Sequence, residues 1–251
     1  MIKDKVSIIT PSYNSSRFIE ECVNSVIAQT YQNWEMLIVD DGSKDNSTKV
    51  IKNLSKKDQR VHVFFLKENI GAAEARNFAI RKAKGRYVAF LDSDDLWDPK
   101  KLEIQISFMS KNNIAFSYTS YQVISEDGLY NLNIIKAPAE MTYHSYLKNT
   151  IIGCLTVIID RQKTGNFEMP NIRSSHDMAL WLLIMRRGFS AYGLDKNLAK
   201  YRYVASSNTA NKIKAVRDVW KVYIKVEKLS FLYSVWCFLS YIFHAIKKRV
   251  L

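Results

Sequence analysis

The sequence has little of what cross-linked, fibrous or disordered proteins depend on. Only eight Gly and four Pro occur in 251 residues. No internal repeat and no low-complexity run is present, which excludes collagen-like and solenoid architectures. The three cysteines (Cys22, Cys154, Cys237) are odd in number, far apart and without metal-type spacing. A disulfide framework and a structural zinc site are therefore not expected, and small buried thiols in a reducing compartment are. No Ser-His-Asp or Cys-His constellation offers a protein nucleophile. The chain runs from Met1-Ile-Lys-Asp-Lys straight into a strand, so no signal peptide is expected and a cytoplasmic protein is.

What is present points to one large domain with an appendage. Hydrophobic residues make up 47% of the chain, enough to bury a core at this length. The run Val6-Ser-Ile-Ile-Thr10 reads as a buried strand stopped by Pro11. Further strands are expected at 36–39, 61–66 and 87–91. Helical spacing lies between them at Ile19, Cys22, Val23, Val26 and Ile27 (with Ser15 or Ser16 as cap), at Val50, Ile51 and Leu54, and over the Ala-rich stretch 72–84. Strands alternating with helices imply βαβ units and a mostly parallel sheet covered on both faces, an α/β fold. The second half is less regular. It reads as a helix after Pro99 (Leu102, Ile106, Met109), a strand at 114–124 turned back at Asp127-Gly128 toward 129–135, a short helix at 142–148, a strand at 154–159 and a helix at 176–187. This half suits a segment that closes over the sheet and receives a second substrate.

In such sheets ligands bind beyond the carboxyl ends of the strands, where this sequence gathers Asn14, Asp40, Asp41 and the group Asp92-Ser93-Asp94-Asp95. Three carboxylates within four positions, with no Lys or Arg among them, call for positive charge. A divalent cation carrying phosphates of its own would supply it. The alternative is an acidic turn capping the next helix. Gly71 before a helix lets backbone approach a ligand, and Arg76 one turn in can reach a diphosphate bidentately, or the two are a plain Gly-containing loop and a surface Arg. Asp40-Asp41-Gly42-Ser43 can accept from a nucleobase N–H or ribose hydroxyls, or cap a helix. Asp177 in His176-Asp177 can act as a general base or as an N-terminal cap. Tyr201-Arg202-Tyr203 and the polar loop 204–211 can fold over a phosphate through Arg202, or be an ordinary exposed loop.

Taken in order, Thr-Pro-Ser-Tyr-Asn at 10–14, Val-Asp-Asp-Gly-Ser at 39–43, Asn-x-Gly-x-x-x-x-Arg-Asn at 69–77, Asp-Ser-Asp-Asp at 92–95 and Asp177 resemble the family 2 glycosyltransferases of GT-A fold. The likeness covers residues 5 to about 205. It implies a Rossmann-like GT-A domain over 1–210, with a nucleotide-binding half at about 1–98 and an acceptor-binding half at about 99–210. It also implies a nucleotide-diphosphate sugar donor, UDP-sugars being the common ones, and a divalent metal, Mn2+ or Mg2+. By matching positions, Pro11, Tyr13, Asp40, Asp41, Asn69, Arg76, Asp92 and Ser93 fall to the donor, Asp94 to the metal, and Asp95, Trp97 and His176 to the acceptor side. Asp177 matches the catalytic base of an inverting, single-displacement reaction. The family's more usual pair there is Glu-Asp, so His176 departs from it. Two variants of this reading remain: polyprenyl phosphate itself as acceptor, or sugar-phosphate nucleotidyl transfer, against which stands the lack of a Gly-rich, basic loop after the first strand.

The net charge of +13 is uneven. Residues 212–251 hold nine Lys/Arg and two acids, +7 of the total. A nucleic-acid binder would explain that charge, but carboxylates gathered at three strand ends would repel a phosphate backbone, and no nucleic acid is expected. Residues 213–228 put Ile213, Val216, Trp220 and Tyr223 on one stripe of a basic amphipathic helix. Residues 229–246 then carry no formal charge, and as a helix would span roughly 27 Å against a hydrocarbon core of ~30 Å. Ser230, Ser234, Cys237, Tyr241 and His244 recur at helical spacing as a weakly polar stripe. The expected role of this tail, 211–251, is to lie on the cytoplasmic leaflet beside a lipid-linked saccharide acceptor for a surface polysaccharide. A packed hairpin or homodimer contact and a true span are the alternatives.

Overall fold

The computed structural model describes residues 1–172, 174–204 and 212–250. In chain order its elements are β1 (Ile2–Ser12), α1 (Ile19–Ile27), β2 (Trp34–Asp40), α2 (Ser47–Lys57), β3 (Val61–Phe65), α3 (Ala72–Lys82), β4 (Gly85–Phe90), β5 (Leu96–Trp97), α4 (Lys101–Lys111), β6 (Phe116–Ile124), β7 (Asn131–Ile135), β8 (Glu140–Met141), α5 (Tyr143–Lys148), β9 (Ile158–Asp160), α6 (Arg161–Thr164), α7 (His176–Arg186), β10 (Ala191–Arg202), α8 (Lys212–Lys221) and α9 (Phe231–Val250). The strands form one sheet in the order β3-β2-β1-β4-β9-β6-β10-β5, with β7 on β6 and β8 on β10. β3, β2, β1 and β4 are parallel, as βαβ crossovers require; β9 runs antiparallel between β4 and β6, and β10 is parallel to β6. The sheet thus continues without a break from the first half of the chain into the second.

Period-2 alternation divides two cores across this sheet. Val6, Ile8, Met36, Ile38, Tyr87 and Ala89 face one layer with α1, α2 and α4. Ile9, Leu37, Val39, Val88 and Phe90 face the other with α3, α5 and α7. The alanines of α3 (Ala73, Ala75, Ala79) let that helix lie close on the sheet. Trp181 of α7 fills the space between Phe90 and Phe116, with ring centroids 5.3 and 5.4 Å away. The acids sit at the carboxyl ends of β2 and β4, beside the end of β1.

Several local expectations need correction. Pro11 does not end β1, which pairs with β2 as far as Ser12↔Asp40. Pairing with β4 stops at Ile9↔Phe90, so no β4 carbonyl waits for the N–H that proline lacks. Neither Ser15 nor Ser16 caps α1 with its side chain: Ser15 Oγ pairs with Ser12 Oγ instead, at 2.7 Å. The apolar run 154–159 begins as a 3-10 turn, Cys154–Thr156, and only then becomes β9. β10 was not anticipated, because Asp195, Lys196 and Asn197 interrupt its apolar pattern at the point where its register with β6 shifts.

The tail packs on the α5–α7 layer. Val219, Val222 and Tyr223 are buried, Tyr223 Oη donates to Leu147 O, and a π-helical turn at Val222–Val226 lets the chain bend before α9. The expected stripe therefore serves this contact through Tyr223 and, partly, Trp220. The Ile213 side chain lies outside the described residues.

Candidate active site

Four loops meet at the rim, and side chains stitch them together. Asn14, in the left-handed region (φ 49°), donates its backbone N–H to Ser43 Oγ at 2.9 Å and accepts from Lys44 N through Oδ1 at 2.8 Å, joining the β1 and β2 ends. Asp41, 3% exposed, accepts the amides of Ile70 and Gly71 at 2.8 and 2.9 Å, which ties the β2 end to the start of α3. Gly42 makes that junction possible. Its φ is +72°, and a Cβ there would stand 2.9 Å from the Glu68 carbonyl carbon, so any other residue is both strained and in collision. Neither Asp40 nor Asp41 caps α2: Asp45 accepts from Ser47 N and Oγ. Asp40 holds Ser43 N at 3.1 Å through Oδ1, while its buried Oδ2 has no partner.

Arg76 is the junction of the site. It projects from the second turn of α3, is 5% exposed, and donates with one arm to Asp92 Oδ1 and with the other to His176 Nε2 at 2.6 Å. The strand end bearing Asp92 and the first turn of α7 bearing Asp177, some 80 residues apart in sequence, are thereby joined through one guanidinium. Burial opposes the Arg76 charge, but Asp92 and other nearby groups more than offset it and its pKa is raised. Because arginine has only donors, His176 Nε2 must accept here, which requires the neutral ring. Burial, followed by the Arg76 charge, lowers the His176 pKa in the same direction. Arg76 Nε stays buried without an acceptor. Orphan polar atoms such as this one and Asp40 Oδ2 are uncommon in folded interiors and are ordinary in ligand sites.

The acids of the β4 end have unequal surroundings. Asp92 is half-buried and paired with Arg76. Asp94, also half-buried, forms no ion pair among the described residues. Burial, and then the Asp92 charge, push its carboxyl up to about 6. Asp95 and Trp97, expected toward the acceptor, are inside instead. Asp95 is 1% exposed and accepts the Arg202 amide at 2.9 Å, while Trp97 is buried with Nε1 donating to Leu155 O at 2.8 Å. Arg202 is corrected likewise. Its fully buried side chain does not reach for a phosphate; it donates to Asp94 O (2.9 Å), Glu126 O (2.8 Å) and Glu21 Oε2 (2.6 Å). It buttresses the acid loop from below, a role that sequence reasoning missed because it depends on the unanticipated β10. The polar loop that follows, 205–211, lies outside the described residues.

Of the other candidates, Tyr13 and Asn69 are exposed on the rim and Pro11 and Ser93 half-buried there. Asp177 is half-buried in the first turn of α7, behind Ser175, which adopts the left-handed conformation (φ 58°) and turns the chain into the helix. Together these groups form a rim with Asp40 and Asp41 at its β2 end, the Arg76 guanidinium in the middle, and Asp92 and the His176-Asp177 turn on either side of it.

This arrangement belongs to a sugar-transferring α/β class, and the comparisons give the family. Residues 7–169 match glycosyl transferase family 2, and the chain belongs to that family. It is 50% identical over 248 residues to the putative teichuronic acid biosynthesis glycosyltransferase TuaG of Bacillus subtilis (strain 168), covering 99% of this chain and 98% of that protein. It is 43% identical over 218 residues to the Escherichia coli UDP-Glc:alpha-D-GlcNAc-diphosphoundecaprenol beta-1,3-glucosyltransferase WfgD, with 86% and 84% covered. Among solved structures, S. aureus TarS 1-349 in complex with UDP-GlcNAc shares the fold at TM-score 0.70 and 20% identity, over 95% of this chain and 71% of that one. The protein is thus a glycosyltransferase of GT-A fold.

Proposed function

We propose that this enzyme transfers a sugar, with inversion, from a UDP-sugar to a hydroxyl of a lipid-linked saccharide at the cytoplasmic face of the cell membrane. The observation that carries the reading is the Arg76 clamp, which joins the acid loop to the helix turn bearing Asp177. The name of WfgD, with its UDP-Glc donor and diphosphoundecaprenol-linked acceptor, supports the substrate classes. Pro11, Tyr13, Asp40, Asp41 and Asn69 line the nucleoside end; Arg76, Asp92 and Ser93 meet the diphosphate and ribose. Asp177 takes the proton from the acceptor hydroxyl as its oxygen attacks the anomeric carbon. The bond from that carbon to the diphosphate breaks, and UDP leaves with the electron pair. His176, neutral and holding Arg76, keeps the guanidinium aimed between the two carboxylates.

A divalent metal fits the residues present. Asp94 is a hard oxygen donor without a cationic partner, and it is destabilised as an anion by burial and by Asp92. Among the described residues no group of three such side chains could hold a metal ion alone. A cation here would therefore take Asp94 and draw its remaining ligands from the donor's phosphates and water, a usual pattern for magnesium. When bound, it would offset the charge that develops on the leaving diphosphate. Thermal unfolding with a panel of nucleotide sugars tests the reading. UDP-sugars with Mn2+ are expected to raise Tm by several degrees, as saturating ligands do, and to do so far less without metal. Equal stabilisation by nucleoside triphosphate plus sugar phosphate, with pyrophosphate released, would favour nucleotidyl transfer instead.

A further inference from the structure

The tail is amphipathic in the reverse sense of a surface helix. Along α9, Leu232, Trp236, Leu239 and Phe243 follow one another at i, i+4, i+7 and i+11 and are 60–82% exposed. They share an arc of about 60° at 100° per residue. The middle of the weakly polar stripe, which a water-facing helix would turn outward, is turned inward: Ser234 and Cys237 are fully buried and Tyr241 and His244 half-buried, with Ser230 exposed at the start and accepting from Ser234 Oγ. Phe238 and Tyr241 pack inward beside Ser234 and Cys237, while Leu232, Trp236, Leu239 and Phe243 meet water.

The charges of the tail are sorted as well. Its two acids both face inward. Asp218 is 6% exposed, accepts from Ser174 Oγ and pairs with Lys221; Glu227 is 8% exposed, accepts from Tyr143 Oη at 2.7 Å and pairs with Arg186. Arg217, Lys221, Lys225 and Lys228 face outward, and Lys148 stands 5.8 Å over the Trp236 ring. No acid follows Glu227 in the sequence, whereas Lys247, Lys248 and Arg249 do. An exposed apolar stripe with Lys148 over its Trp236 ring, on a tail whose exposed charges are all basic, fits a surface that is apolar below and anionic above.

We propose that this outward face of α9 docks the enzyme on anionic lipid. The stripe lies in the boundary between headgroups and acyl chains, and the flanking lysines lie against lipid phosphates. α9 does not cross the bilayer, since no helix among the described residues is long and apolar enough to do so. A second copy of the chain is the poorer occupant. A two-fold contact sets the same patch against itself and would bring lysine borders together. The docking face is also coupled to the site. Asp218 of α8 holds Ser174, three residues before Asp177, and His144 of α5 pairs with Tyr233 Oη of α9 at 2.8 Å. The purpose of this face, though not the observations behind it, rests on the lipid-linked acceptor proposed above.

Vesicle sedimentation of the full chain tests it. The protein is expected to co-sediment with vesicles of phosphatidylcholine and phosphatidylglycerol, and to do so less with phosphatidylcholine alone or in high salt. The triple variant Leu232→Gln/Trp236→Gln/Leu239→Gln alters only exposed side chains. Its partitioning should fall by about tenfold or more, with Tm and UDP-sugar binding unchanged. Those two readouts keep the donor reading separate from this one. Wild-type protein that stays in the supernatant at low salt, or a variant that sediments equally, would overturn the proposal. So would a wild-type dimer that ignores vesicles and that the variant dissolves, since the stripe would then be a subunit interface.

Discussion

Replacing Asp177 by Asn is expected to lower kcat by roughly 10²–10⁴-fold, the contribution of a positioned general base, and to leave nucleotide-sugar binding intact. Asn has the same shape and keeps the first turn of α7, losing only a favourable charge at the helix N-terminus, worth roughly 0.3–1 kcal/mol. Among the described residues no hydrogen bond or ion pair joins that side chain to β1, β2 or β4. Steady-state kinetics alongside titration calorimetry of the UDP-sugar separate the two effects. Turnover retained in the variant would remove Asp177 as the base, and lost binding would mean that it serves the donor instead.

Asp94→Asn is expected to divide stability from activity. Burial and the Asp92 charge already hold the Asp94 carboxyl up at about 6, so the neutral amide relieves a repulsion and the metal-free protein should gain about 1 kcal/mol or less in denaturant unfolding. The same change removes the oxygen charge that would hold a divalent cation. Metal-dependent stabilisation by a nucleoside diphosphate should disappear and turnover should fall by roughly 10²-fold or more. A variant that keeps its response to Mn2+ would show that the metal, if any, is held elsewhere. Loss of stability together with loss of metal response would mean that Asp94 supports the fold.

The particular residues explain why some of this was legible in sequence. β1, β2 and β4 are buried on both faces, so they read as short apolar runs, and an acid right after such a run can only lie at the strand's end. That pattern places Asp40, Asp41 and Asp92–Asp94 on one rim. Asp177 was legible only through order along the chain, because its distance from Asp92 is closed by tertiary structure, with Arg76 between them. Arg76 itself was expected to await a diphosphate. The structure adds that its guanidinium also joins Asp92 to His176, a pairing that no local pattern announces.

What sequence could not convey is which side of an element faces inward once packing, rather than propensity, decides. Asp95 and Trp97 belong to the same short segment as Asp94 yet point into the core, because β5 pairs with β10 at Ala199↔Trp97. Arg202 read as a loop arginine because β10 was not seen, and with it the buried support beneath Asp94. In α9 the polar stripe was legible as a stripe, but only its burial shows that it faces the protein and leaves Trp236 and its neighbours outside.

The most direct test of the account is the anomeric configuration of the product. With an α-linked UDP-sugar, Mn2+ and a polyprenyl-diphosphate-linked acceptor, proton NMR of the isolated glycoside reports the stereochemistry at the new linkage. A single displacement assisted by Asp177 predicts the β-anomer. An α-anomer would contradict it, since retention needs either a second displacement or front-side attack.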